Sequence, residues 1–133
     1  MSIEERPKRL PPQHPDFRGG GYDLVEHIFR AIAFSRFTFG PGVRTEALCK
    51  HIEKELKEIQ ADPFDVREWI DIIVLGIDGA WRCLQDTELT TVQKAQLIAE
   101  TLQSKQRENE GRKWPDWKTV PEGTPIEHVR GGE

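Results

Sequence analysis

The chain has no run of about 18 apolar residues, which excludes a hydropathy-driven membrane-spanning helix. A basic excess is missing too. Lysine and arginine number 19 against 23 aspartates and glutamates, for a net charge of -4. A general nucleic-acid surface needs the opposite balance, so neither nucleic acid nor membrane is expected as a partner. Cysteine is scarce: Cys49 and Cys83 are the only two. They stand in no metal-ligand spacing and build no disulfide framework, so they are expected as small buried residues in a reducing cytoplasm. No His-Asp dipeptide occurs, which argues against a phosphohydrolase of that type. GGGY, Gly19 to Tyr22, lacks the Lys and Ser/Thr of a phosphate-binding P-loop and reads as a hinge. The start, MSIEERPKRLPPQHP, holds acids and prolines where a secretory signal needs an apolar stretch. Residues 1–21 are expected to form a flexible arm, and 22–130 one domain with an irregular C-terminal extension.

What is present is helical periodicity. The 133 residues suit a single core. Leu24, Ile28, Ala31 and Ile32 predict a helix from about Asp23 to Ser35. FTFGPGVRT then forces a loop. Thr45 reads as the N-cap of a second helix reaching about Gln60. ADPFD makes a tight junction, with Asp62 as cap and Pro63 at the first position of a third helix to about Leu84. A fourth starts near Thr90 or Thr91 and ends near Gly111, with Val92, Ala95, Ile98 and Leu102 as its stripe. Trp114, Trp117 and Ile126 of the tail are expected to pack back on the helices. The fold class is all-α, a small four-helix bundle.

Carboxylates stand out against this pattern. On the second helix Leu48, Ile52, Leu56 and Ile59 form an apolar stripe. At about 100° per residue, Glu55 falls within roughly 20° of Leu48, with Glu58 flanking. The third helix is apolar nearly all round and is expected to be buried, yet Glu68, Asp71 and Asp78 share one of its faces. The short junction makes the two helices antiparallel neighbours. Glu58 then comes level with Glu68, and Glu55 with Asp71. Burying one unpaired charge costs several kcal/mol, so such a cluster needs basic partners, raised pKa values or cations. Few basic residues fall on these faces. Oxygen ligands without a Cys or His pair suit Mg²⁺ or Mn²⁺. Two such ions about 3.5–4 Å apart make a phosphoryl-transfer device.

E-x-x-E followed by E-x-x-D on consecutive helices resembles the all-α NTP pyrophosphatases, the MazG-like superfamily. The matching positions are Glu55, Glu58, Glu68 and Asp71. The longer strings FSRFTFGPGVRT, HIEKELKEIQADPFDVREWIDIIVLGIDGAWR and NEGRKWPDWKTV are similar to the dATP/dGTP diphosphohydrolase branch, which includes the phage enzymes called MazZ. The likeness runs from about Tyr22 to Arg130. One departure is the short spacing between Glu58 and Glu68. The resemblance implies hydrolysis of purine (deoxy)nucleoside triphosphates, dGTP and dATP, to the monophosphate and pyrophosphate. It also implies a homodimer or homotetramer, in a bacterial or phage-infected host cytoplasm.

On this reading Glu55, Glu58, Glu68 and Asp71 are catalytic and hold two or three Mg²⁺ or Mn²⁺ ions, with Asp78 as a further ligand. Glu58 is the group chosen to orient or deprotonate the attacking water. Lys54, Lys94, Lys105, Asn109 and Arg112 are the candidates for binding the phosphates. Phe34, Ser35, Phe37, Thr38 and Trp69 offer aromatic surface beside hydroxyls for the base. The alternatives are a non-catalytic helical interaction module and a metal-dependent nucleotide sensor.

Overall fold

Asp23 starts the first helix by accepting hydrogen bonds from the backbone N–H groups of Val25 (2.9 Å) and Glu26 (3.3 Å). The computed structural model describes residues 22–130, so the expected arm lies outside the described residues. Helix α1 spans Leu24–Phe39, one turn beyond the expected end at Ser35. Nothing in FTF breaks a helix, and the stop comes at Gly40, whose φ of 84° only glycine adopts freely.

Helix α2 spans Thr45–Ala61. Arg44, not Thr45, sits at its N-cap, and no side chain caps it. Helix α3 spans Val66–Arg82 and starts later than expected, because Asp65 takes the cap by accepting from the Arg67 N–H at 2.9 Å. Asp62 ends α2 instead, and Pro63 lies in the turn. The Trp69 indole N–H closes that turn onto the Pro63 carbonyl at 2.9 Å. Helix α4 spans Thr91–Gly111 behind a complete capping box of Thr90 and Gln93. A short 3₁₀ turn, Trp117–Thr119, follows. Among the described residues there is no strand, so the all-helical, four-helix expectation holds. None of these helices is long and apolar enough to cross a membrane.

Helix α1 packs mainly along α4, and α2 along α3. Ile28 and Ile32 of α1, Trp81 of α3 and Ala95 of α4 form the core, with Leu24, Val25, Ile77 and Ile98 around it.

Three expectations are corrected here. Helix α3 is not buried all round: Ile70, Ile73 and Val74 are 45%, 55% and 55% exposed. One side of it borders a groove of about 740 Å³ toward α4, lined by Ile70, Ile73, Val74, Leu97 and Leu102 among others. The periodicity reported an apolar surface without reporting what covers it. Both cysteines are exposed. Trp114, Trp117 and Ile126 are exposed as well. The tail folds on the end of α4 through Trp114 Nε1 to the Asn109 carbonyl (2.7 Å) and the Val129 N–H to the Lys113 carbonyl (2.7 Å).

Candidate functional site

Glu55 and Glu58 stand one turn apart on α2, and Glu68 occupies the first turn of α3 across from them. One carboxylate oxygen from each lies within 4.8 Å of the others. This is the antiparallel level-matching that the short junction dictates. Glu55 is only 7% exposed, while Glu58 and Glu68 are half-buried.

The electrostatics of the trio are unfavourable as they stand. Glu55 is held above the ordinary carboxylate range, first by a side-chain hydrogen bond with Glu58, then by burial, then by the charges of Glu58 and Asp71. His51, whose Nε2 lies 3.2 Å from Glu55 Oε1, pulls weakly the other way. Glu68 is raised too, by burial first, then by the charge and hydrogen bond of Glu58, then by Asp65 and Asp71. A hydrogen bond between two carboxyls needs a proton on one of them. Without a cation, Glu55 and Glu68 therefore retain protons that free carboxylates would lose.

Two oxygens, Glu55 Oε2 and Glu68 Oε2, are buried and receive no hydrogen bond. Buried polar atoms are nearly always partnered, so an orphaned pair facing one cluster indicates a missing ligand. The donor set is all oxygen, and among the described residues no lysine or arginine forms an ion pair with it. That chemistry fits a hard divalent cation such as Mg²⁺ or Mn²⁺. Asp71 lies outside the tightest group, yet its charge acts on both Glu55 and Glu68.

Asp78 is not brought to the cluster. It stands two turns further along α3, where its Oδ1 accepts from Trp81 Nε1 (2.7 Å), Arg82 Nε (3.1 Å) and the Ser35 hydroxyl. Arg82 is the residue sequence reasoning missed. It is 1% exposed. Its Nη1 donates to the carbonyls of Gly40 and Gly42, both at 2.9 Å, and its Nη2 to Ser35 Oγ at 3.0 Å. The guanidinium also lies 4.3 Å from the Trp81 ring centroid. The signal was present as an Asp78–Arg82 pair at i, i+4 on an otherwise apolar helix.

Of the expected base-binding set, Phe34 and Ser35 line a narrow slot of about 110 Å³ between α1 and α3, together with Ala31, Phe39, Asp78 and Trp81. Phe34 and Phe39 meet edge to face at 6.0 Å. Ser35 gives its one proton to Asp78, so its hydroxyl has none left for a base. Phe37 is 93% exposed and Thr38 is exposed, and neither lines the slot. Trp69 stands at the carboxylate level instead, bonded to the α2–α3 turn.

The expected phosphate ligands divide. Lys54 is exposed on α2, and Lys94 is buried in the first turn of α4. Lys105, Asn109 and Arg112 gather around Glu108 at the far end of α4. There Lys105 lies 3.7 Å from Glu108, Arg112 Nη1 donates to Asn109 Oδ1 at 3.0 Å, and Arg112 Nη2 pairs with Glu108.

No curated protein and no solved structure matches the chain. Residues 28–131 match the model of one family, dATP/dGTP pyrophosphohydrolase, and this span includes every carboxylate of the cluster. The chain belongs to the dATP/dGTP pyrophosphohydrolase family, hydrolases that act on deoxynucleoside triphosphates.

Proposed function

We propose that the protein is a metal-dependent pyrophosphohydrolase that converts purine deoxynucleoside triphosphates, dGTP before dATP, to the monophosphate and pyrophosphate. The observation that carries this reading is the Glu55–Glu58–Glu68 trio with its two buried, unpartnered oxygens. Glu55, Glu58, Glu68 and Asp71 hold the cations, two or three Mg²⁺ or Mn²⁺ per site. Bound there, divalent cations neutralise the triphosphate and make water acidic enough to serve as a nucleophile near neutral pH.

The chain's own groups do the rest. Glu58, half-buried between Glu55 and Glu68, is the base that orients and deprotonates the water attacking the α-phosphorus. His51 steadies the Glu55 carboxylate from the solvent side. Lys54, Lys94, Lys105, Asn109 and Arg112 supply positive charge and donors for the leaving pyrophosphate. Phe34 forms an aromatic wall of the purine side and Ser35 orients Asp78 there. Phe37 and Thr38 are on the exposed last turn of α1 beside it, and Trp69 meets the nucleotide at the carboxylate level.

The working form is a homodimer or homotetramer. The exposed Ile70, Ile73, Val74 and Leu102 around the α3–α4 groove support this, since such a patch on a single chain fits a second copy. Assembly also gives Lys105, Asn109 and Arg112 a route to the carboxylates of a neighbour. A cytoplasmic setting, where deoxynucleotides and free Mg²⁺ coexist, suits the reaction.

The test is pyrophosphate release from dGTP, dATP and the other common nucleoside triphosphates, with Mg²⁺ or Mn²⁺ and with EDTA, beside Glu55→Gln. Release from the purine deoxynucleotides, abolished by EDTA and by the substitution, is the expected result. No release from any of them rejects the catalytic reading.

A further inference from the structure

Asp71 and Asp78 lie on one face of α3, within about 20° of each other on the helical wheel. Seven residues separate them along the helix, about 10 Å at 1.5 Å per residue. That is the scale on which a deoxynucleotide spans from its α-phosphate to the Watson–Crick edge of its base. Asp71, whose charge acts on Glu55 and Glu68, stands at one end of this interval. At the other end lies the slot of about 110 Å³ bounded by Ala31, Phe34, Phe39, Asp78 and Trp81. A cavity of about 150 Å³ holds one benzene ring, so this slot takes the edge of a planar base and nothing larger. Its walls are apolar and aromatic apart from Ser35 and Asp78.

The polar wall has a fixed polarity. Oδ1 of Asp78 is taken by three donors, Ser35 Oγ, Trp81 Nε1 and Arg82 Nε. Among the described residues nothing donates to Oδ2, and Ser35 has spent its proton. The slot therefore offers an entering base a charged acceptor and no donor.

We propose that this slot reads the Watson–Crick edge of the purine and that Asp78 is the residue that favours guanine over adenine. The inference rests on the pyrophosphohydrolase reading above and deepens it. Guanine presents N1–H and the 2-amino group side by side, both donors, to a carboxylate oxygen. Adenine presents the N1 lone pair at the same place, which a carboxylate repels. Hydrogen bonds to an ionised acceptor in an apolar slot are among the stronger ones, and a mismatch leaves a charge unpaired.

The same three donors make the test sharp. In Asp78→Asn they hold the amide oxygen where Oδ1 was. The NH₂ group then stands where Oδ2 was and turns the slot from acceptor to donor. Adenine N1 accepts from it, whereas guanine N1–H meets it head on. The expected result is a fall of at least ~10-fold in the dGTP:dATP ratio of kcat/KM, the scale of one base-reading hydrogen-bond pair. Mn²⁺ affinity at the carboxylate cluster stays unchanged. A proportional loss on both purines, or an unchanged ratio, overturns the proposal and leaves the hydrolase reading standing. A second substitution leaves the Asp78–Arg82 network untouched: Ala31→Leu fills the slot from α1. It raises KM for both purines with little change in kcat, and an unchanged KM counts against the slot. Calorimetry with dGMP and dAMP runs without turnover. If wild-type protein binds dGMP more tightly and Asp78→Asn reverses the order, the slot reads the base even where no pyrophosphate is released. That combination rejects the hydrolase reading alone, whereas equal affinities in both proteins reject the slot.

Discussion

Arg82, at the end of α3, holds the loop after α1 by its backbone: its Nη1 lies 2.9 Å from both the Gly40 and Gly42 carbonyls. Both glycines have positive φ, 84° and 97°, which side-chain-bearing residues rarely adopt. The guanidinium thus fastens the end of α1 to the C-terminal end of α3, the helix whose first turn carries Glu68. It also sets the orientation of Ser35 and Asp78.

Removing this fastening strands a carboxylate. Arg82→Ala leaves Asp78 without its cation and the two glycine carbonyls without their donor. Breaking one partner out of a buried pair costs about 3–5 kcal/mol. Urea denaturation should show a loss of that order, and a loss below about 1 kcal/mol would mean that water replaces the guanidinium freely.

Glu55 and Glu68 give the metal-free protein an inverted pH response. Their carboxyls sit above the ordinary range when folded, so ionisation favours the unfolded chain. Their contribution to stability is fully present below the usual carboxylate pKa and is lost as pH rises through the raised folded values. In EDTA, Glu55→Gln and Glu68→Gln should therefore raise the urea midpoint at pH 8, with the advantage shrinking as the pH approaches 4.5. Variants less stable than wild type at pH 8 would contradict the origin assigned to the shifts.

Mg²⁺ or Mn²⁺ should reverse that penalty. A cation at 100 times its dissociation constant stabilises the folded state by about 2.7 kcal/mol through mass action alone. A melting curve with and without Mn²⁺ reads this directly. The rise should vanish in Glu55→Gln, and an equal rise in that variant would place the ion elsewhere.

The α3–α4 groove makes a separate prediction. Ile73, 55% exposed, lines it. Ile73→Glu puts a charge into the proposed contact between copies while leaving the core of Ile28, Ile32, Trp81 and Ala95 untouched. Light scattering should report a drop to the monomer mass. An unchanged mass would show that the copies meet through another surface.

Much of this was legible in the sequence because it is local. The four helices follow from apolar spacing. The approach of Glu58 to Glu68 follows from a short turn between antiparallel helices. The start of α4 near Thr90 or Thr91 follows from its apolar stripe, and the Thr90–Gln93 capping box, which went unread, fixes it. What was not legible depends on tertiary neighbours. Asp78 carries the same chemistry as Asp71 and shares its face; its pairing with Arg82 is local and went unread, whereas the Ser35 hydroxyl reaches it only because α1 packs against α3. Phe37 lies among aromatics that line the slot, and only the actual turn of α1 points it to solvent. The apolar run of α3 was read as burial because periodicity cannot distinguish a core from a surface waiting for a partner. Cys49 and Cys83 failed for the same reason, since a small apolar character does not fix an address.

The turn between α2 and α3 has a consequence for the order of folding. Trp69 clasps Pro63, and all four acids fall between Glu55 and Asp71. The acidic site therefore belongs to a single helical hairpin of short contact order, the kind of unit that closes early. Its self-repulsion is then met on the way to the native state rather than at the end. A cation that quiets the hairpin should speed refolding as well as slow unfolding, which makes the ion a participant in the chain's assembly before it takes part in chemistry.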